Sequence, residues 1–204
     1  MTLIDYLQKC YEQHPWQRPF IVALDGLGGA GKTTIAKKCA QMCDHAVVIH
    51  MDDHIVERKK RYATGHESWY EYYFLQWDVR FLKTHLFEKL YQSTEQLCLP
   101  FYYQQDDRLV LKELSIPKKA MVIIEGIFLL RDEWRPYYDV AIYIDCPKAV
   151  REQRVLARDT YLGDRKAILE KYQTRYWPAE DYYIATQKPH EKADFVIPCH
   201  EIMI

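Results

Sequence analysis

Between Gly26 and Thr34 the chain reads GLGGAGKTT, and Gly26, Gly31, Lys32 and Thr33 satisfy the spacing G-x-x-x-x-G-K-[ST]. That spacing has a chemical purpose. Glycines let the backbone wrap closely around an anion with its N–H groups pointing inward, and a helix opening directly after the loop adds partial positive charge. On this reading Gly26, Gly28, Gly29, Ala30, Gly31, Lys32, Thr33 and Thr34 cradle the phosphates of a nucleotide. Lys32 reaches the β- and γ-phosphates, and the Thr33 hydroxyl ligates Mg²⁺.

Two further acidic positions suit the same chemistry. In MVIIEGIFLL, Glu125 follows four apolar residues, where a carboxylate has no packing role, and beside a phosphate loop it is expected to serve Mg²⁺ or its water. In VVIHMDDHIV, Asp52 and Asp53 stand just past an apolar run. One of them can accept a proton from a hydroxyl that attacks the γ-phosphorus, since an aspartate is already ionised at neutral pH. The other then serves as a loop or N-cap carboxylate.

Elements must bring these groups together. Four short apolar runs, FIVAL at 20–24, AVVI at 46–49, MVIIEG at 121–126 and VAIYID at 140–145, are continuous rather than alternating. Strands buried on both faces of a parallel sheet have this pattern. Helical spacing lies between them, with Ile35, Cys39 and Met42 on one face and Val79, Leu82, Leu86 and Leu90 on another. Strands alternating with helices predict an α/β fold. Residues 96–116 form two β-like pieces around a polar turn, a hairpin beside the main sheet, whereas 147–187 are helical in pattern and rich in arginine. In open parallel sheets ligands sit at the carboxyl ends of the strands, where the loop and the acidic residues fall.

Bulk properties narrow the class. The 204 residues are 49% hydrophobic, enough for one domain spanning 1–204. Lys and Arg number 28 against 29 Asp and Glu, a net charge of −1, which lacks the basic excess of a protein that coats nucleic acid. No apolar run approaches the ~20 residues of a membrane helix, and the N-terminus has no signal-peptide pattern. Six scattered cysteines, with no C-x-x-C pair, are expected to be reduced thiols in a cytoplasmic protein. The RKKR run at 58–61 is read as a solvated loop or helix face, with a phosphate or partner contact as the alternative. The tyrosines at 62–73, 102–103 and 172–183 fit packing and an aromatic acceptor pocket equally well.

The succession GLGGAGKTT, HMDDH, LPFYYQQDDR, IIEGIFLL, YIDCP, an arginine-bearing stretch ending in ARD, and a closing KADFVIP resembles the uridine kinase and phosphoribulokinase family across nearly the whole chain. The resemblance implies a P-loop nucleoside triphosphate hydrolase fold: an open parallel sheet with helices on both faces, a small β-hairpin insertion and a helical lid. It also implies ATP and Mg²⁺ as cofactors, and transfer of the γ-phosphate to a small acceptor, a nucleoside such as uridine or cytidine. Carried over by position, Asp52 is the base for the 5′-hydroxyl and Tyr102 packs on the nucleoside. Arg158, with Asp159, and Arg165 are the lid arginines, while Arg154 stands for an earlier lid arginine at a spacing off by one.

The departures concern the acceptor. Where the family has Asp and His in its P-x-Y-D-x-x-x-H-x-R segment, this chain has Tyr103 and Asp107, and the lid R-G-R is Gly163-Asp164-Arg165. The sugar-reading segment is WYEYYFLQWD, in which Glu71 is the nearest candidate for reading a hydroxyl. Another small alcohol (a sugar, a vitamin precursor or nicotinamide riboside) therefore stays open as acceptor. A nucleotide-binding regulatory module with weak ATPase activity is the reading from a different class. Self-association is left open.

Overall fold

A computed structural model describes residues 2–41 and 43–200. Seven strands form: β1 (Phe20–Gly26), β2 (Ala46–His50), β3 (Gln96–Tyr103), β4 (Arg108–Ser115), β5 (Met121–Gly126), β6 (Val140–Asp145) and β7 (Phe195–Pro198). Five of them make one parallel sheet in the order β2-β5-β1-β6-β7, and β3 and β4 pair as a separate antiparallel hairpin. The four apolar runs are the first four sheet strands, and the hairpin falls where its polar turn predicts. β7 adds a fifth strand at one edge.

Alternation of side chains across the sheet explains the continuous apolar runs. Ile21, Ala23, Val122, Ile124, Ala141 and Tyr143 face one layer, together with Leu82, Leu86, Leu90, Ala179 and Tyr183 from the helices. Phe20, Val22, Leu24, Ile123, Ile142 and Ile144 face the other, against Leu7 of helix Leu3–Glu12 and Ile35 and Cys39 of helix Lys32–Ala40. Met42 lies outside the described residues. β2 departs from the expectation of burial on both faces, because it is an edge strand and only Ile49 in it is buried.

Register aligns the strand ends that matter. Glu125 pairs with Leu24 of β1 on one side and with His50 of β2 on the other. The loop after β1, the turn after β2 and the carboxylate of β5 therefore emerge side by side. From β1 the chain also departs in opposite directions, toward β5 and β2 on one hand and β6 and β7 on the other, so the crevice opens there.

The arginine-rich stretch is helical, as its pattern predicts: Lys148–Arg158, a short turn Thr160–Leu162, then helix from 165 to 187. A π turn, Tyr172–Tyr176, interrupts that last helix and ends two residues before Pro178. Pro178 has no N–H for the Thr174 carbonyl and crowds it, and the wider turn relieves both problems. Among the described residues no helix is long and apolar enough to cross a membrane.

Cysteines bring a correction to the expectation of free thiols throughout. Asp145 and Pro198 are register partners on β6 and β7, so the next residues, Cys146 and Cys199, stand beside each other with Cα atoms 4.9 Å apart and are joined as a disulfide. Cys10, Cys39, Cys43 and Cys98 are free thiols.

Candidate active site

The glycine loop turns sharply where only glycine is at ease. Gly31 has φ +101° as it caps helix Lys32–Ala40. A Cβ on Gly29 would come within 3.0 Å of the Arg151 carbonyl and of Val155. In a loop whose N–H groups point inward, the carbonyls point outward and need donors of their own. Lys32 Nζ supplies Gly26 O at 2.8 Å and Leu27 O at 3.2 Å. Arg154 Nη1 supplies Gly29 O at 3.1 Å and Ala30 O at 3.2 Å, and Arg151 Nη1 reaches Gly28 O at 3.3 Å. The N–H groups of Gly29, Gly31, Lys32 and Thr33 have no protein acceptor among the described residues, which leaves a nest open to an anion.

Beside the loop, Thr33 Oγ1 donates to Glu125 Oε1 at 3.1 Å, and the same oxygen meets His50 Nδ1 at 2.6 Å. Glu125 is nearly buried at the end of β5. Among the described residues no group of three or more His, Cys, Asp or Glu converges. Thr33 and Glu125 thus form a two-donor set, which suits Mg²⁺, an ion that keeps waters and phosphate oxygens for its other positions.

Asp52 and Asp53 lie on a 3₁₀ turn, Met51–His54, directly after β2. The buried neighbours Met51 and His54 fix this turn: the Trp77 indole donates to Met51 O at 2.8 Å, and His54 Nδ1 lies 2.9 Å from Pro100 O. Both aspartates line a cavity of about 740 Å³ that also contains Gly28, Gly29, Lys32 and Arg158. The Asp52 side chain is solvent-exposed and lines this cavity. Enclosure by the cavity walls pushes its carboxyl above the ordinary aspartate range, with Glu125 and Asp53 adding to the effect while Lys32 and Arg158 oppose it.

The remaining candidates divide. Tyr102 lines the cavity and donates its hydroxyl to Asp107 Oδ1 at 3.0 Å. Arg158 lines it as well, held by Asp159 at 2.6 Å and 3.1 Å, and Asp159 in turn accepts from Tyr172 at 2.6 Å. Arg154 sits behind the loop, spent on carbonyls. Arg165 is exposed and lies outside the cavity lining. Glu71 is buried, accepts from Thr64 N and Oγ1 at 2.8 and 2.9 Å and from Arg175 at 3.2 Å, and does not reach the cavity. Its neighbours Tyr62, Tyr72, Tyr172 and Tyr176 do line the cavity, whereas Tyr73 and Tyr183 are core.

Three buried charges beneath the loop carry no motif. Glu180 accepts the Gly28 N–H at 2.8 Å and pairs with Arg151 at 2.8 Å. Burial pushes the Glu180 carboxyl up, against the pull of Arg151. Asp25 is fully buried and accepts from Gly26 N, Leu130 N and the Tyr183 hydroxyl, tying the end of β1 to the last long helix. The reasoning that singled out Glu125, a carboxylate ending an apolar strand, applies equally to Asp25. Nothing local marks Glu180 or Arg151.

The sequence profile of the Phosphoribulokinase / Uridine kinase family matches residues 21–202. A uridine kinase of Borrelia hermsii (strain HS1 / DAH) is 30% identical over 189 residues, covering 87% of this chain and 85% of its own. A uridine kinase of Bacillus pumilus (strain SAFR-032) is 25% identical over 187 residues, covering 89% and 87%. The solved structure of a possible uridine kinase from Bacillus stearothermophilus superposes with a TM-score of 0.78 at 39% identity, over 95% of this chain and 96% of the other. With the sheet order, the loop and the match running from β1 past β7, the chain belongs to the phosphoribulokinase and uridine kinase family of P-loop kinases.

Proposed function

We propose that the protein transfers the γ-phosphate of ATP to a hydroxyl of a nucleoside or similar small molecule. The observation that carries this reading is the presence of Lys32, Asp52 and Arg158 in one cavity with the open loop amides. A module that only bound nucleotide would have no use for a carboxylate facing the γ-phosphate position.

In this reading the loop N–H groups and Lys32 hold the triphosphate, which fixes the γ-phosphorus in front of Asp52. Asp52 orients the acceptor hydroxyl and takes its proton as the oxygen bonds to phosphorus and the bond to the ADP oxygen breaks. Lys32 and Arg158 stabilise charge that spreads over the transferring oxygens. Mg²⁺, held through Thr33 and Glu125, would neutralise charge on the β- and γ-phosphates when bound. Tyr102 and the other cavity tyrosines pack the acceptor. The names of the curated relatives support a nucleoside acceptor; the P-x-Y segment of the sequence, with Tyr103 and Asp107 in place of the family's polar pair, supports a broader class.

The test is a panel of nucleosides and small alcohols, scored for ADP release with Mg²⁺–ATP, with the product verified as a phosphomonoester by mass. Acceptor-dependent ADP release supports the reading. Slow release indifferent to every acceptor overturns it.

A further inference from the structure

Past Asp52 the cavity continues into an end whose charge the triphosphate does not account for. In the RKKR run Arg58, Lys59 and Lys60 are exposed, as the composition predicts, and Arg61 is the exception. The run forms a short helix, Arg58–Arg61, whose last residue turns inward: Arg61 is 5% exposed and lines the cavity. Its Nε donates to Val56 O at 2.8 Å, and its guanidinium lies 4.9 Å from the Tyr62 ring centroid and 5.1 Å from that of Tyr102. The Tyr62 ring also faces Arg175 at 4.1 Å and Lys171 at 5.8 Å. Three cations thus surround one ring.

Only one of the three has a counterion. Glu71 pairs with Arg175 at 3.2 Å, whereas Arg61 and Lys171 have no ion-pair partner among the described residues. Arg58, at the same end, donates to the Gln104 carbonyl at 2.5 Å. Asp107 is already engaged by the Arg58 N–H at 2.8 Å and the Tyr102 hydroxyl at 3.0 Å. Elsewhere in the lining, Asp159 holds Arg158 and Glu180 holds Arg151. A guanidinium cannot shed its proton to escape burial, and aromatic faces only partly replace water around it. Asp52 and Asp53 line the same cavity but form no ion pair with Arg61 or Lys171 among the described residues, so an anion from outside would supply the direct counterion these two cations lack.

We propose that the acceptor carries, besides the hydroxyl to be phosphorylated, an anionic group of phosphomonoester or carboxylate chemistry. Arg61, Lys171 and Arg58 bind this group, and Tyr62, Tyr102 and Tyr176 cover the carbon skeleton between it and Asp52. This rests on the kinase reading of the same cavity and narrows its substrate class. Planar, forked Arg61 suits either oxyanion by paired N–H donors.

Two measurements separate the anion site from the kinase reading. In the first, protein saturated with Mg²⁺ and a non-hydrolysable ATP analogue, so that the loop is filled, is titrated calorimetrically with ribose 5-phosphate against ribose and with glycerate against glycerol. In the second, the same four compounds and uridine are compared as acceptors by ADP release. The anionic member of at least one pair is expected to bind and turn over at least about tenfold better than its neutral partner, the phosphate and carboxylate pairs telling the two sources apart. Lys171→Gln and Arg58→Gln, at the accessible edge of the cluster, should each raise the KM of that anionic compound about tenfold with a smaller change in kcat. Arg61→Gln should do more where it folds. If an anionic compound binds and the variants abolish it, but nothing turns over, the anion site stands and the kinase reading fails. If uridine or the neutral alcohols turn over as well as the anionic compounds, and Lys171→Gln and Arg58→Gln change nothing, the anion site is overturned and the kinase stands. Absence of both binding and preference overturns it too.

Discussion

Glu180, two residues beyond Pro178 in the last long helix, accepts the backbone N–H of Gly28 in the phosphate loop at 2.8 Å, and its other oxygen meets Arg151 at 2.8 Å. One side chain therefore sets both the shape of the loop and its distance from the helices that cover it. Glu180→Ala should leave buried Arg151 unpaired and lower unfolding stability by about 3–5 kcal/mol. Glu180→Gln, which keeps an acceptor for Gly28, should retain more ATP affinity than Glu180→Ala. Denaturant titration and nucleotide calorimetry measure the two effects; equal nucleotide affinity in both variants would mean that the Gly28 contact does not shape the loop.

Lys32→Ala should cut turnover roughly 10²–10³-fold while leaving the circular dichroism spectrum unchanged, because apart from the phosphates the ammonium serves only the loop carbonyls of Gly26 and Leu27. A folded variant with near-normal turnover would remove the phosphate loop from the chemistry.

The two aspartates should separate. Asp52→Asn is expected to keep ATP affinity and lose kcat by roughly 10²–10⁴-fold, the range of a missing general base. Asp53→Asn should do far less. Steady-state kinetics decides, and the opposite ranking would move the base to Asp53.

Glu71 predicts a pH dependence of stability. Burial pushes its carboxyl up, but hydrogen bonds from Thr64 and the charge of Arg175 outweigh this, and the folded value falls below the ordinary 4.5. A carboxylate whose folded pKa is depressed stabilises the fold above its unfolded pKa, and that contribution is lost as pH falls through the folded value. Stability should therefore decline below about pH 4.5. Glu71→Gln should be less stable at neutral pH and show a shallower acid decline. Parallel acid curves for the two proteins would contradict this origin.

In the helical stretch 147–187, Arg158→Ala should lower kcat more than it weakens ATP binding. Arg165→Ala, exposed and outside the cavity lining, should match the parent protein. Amide exchange tests directly whether the stretch closes over the phosphates: nucleotide with acceptor should protect 147–187 more than nucleotide alone. Equal protection with both ligand sets, together with a silent Arg158→Ala, would make this an ordinary surface helix pair.

The sheet, the glycine loop and the strand-end position of Glu125 were legible because each depends on local rules. Apolar runs dictate buried strands, glycine spacing dictates the loop, and a carboxylate at a strand end, as in Glu125, is conspicuous. What stayed hidden depends on partners distant in the chain. Arg61 looks like a solvated charge until Tyr62, Tyr102 and Lys171 gather around it. Arg151 and Arg154 share helical spacing with Arg158, yet the loop carbonyls claim the first two and leave only the third to the cavity. Glu71 matched an expected sugar reader by position, but Thr64 and Arg175 occupy its oxygens. The union of Cys146 with Cys199 required knowing that β6 and β7 are neighbours.

The π turn at Tyr172–Tyr176 holds one residue more than an α turn would, and that residue sets the angular phase of everything after it. Upstream, Tyr172 reaches Asp159; downstream, Glu180 and Tyr183 reach Gly28 and Asp25. Removing a single residue here would rotate the downstream half by about 100° relative to the upstream half. Both anchors would then swing away from the loop, although no contact residue had been replaced. Substitutions in this turn can be graded in effect, whereas a one-residue deletion or insertion acts on the loop as a unit. In a lineage of such chains, length at this turn should be invariant.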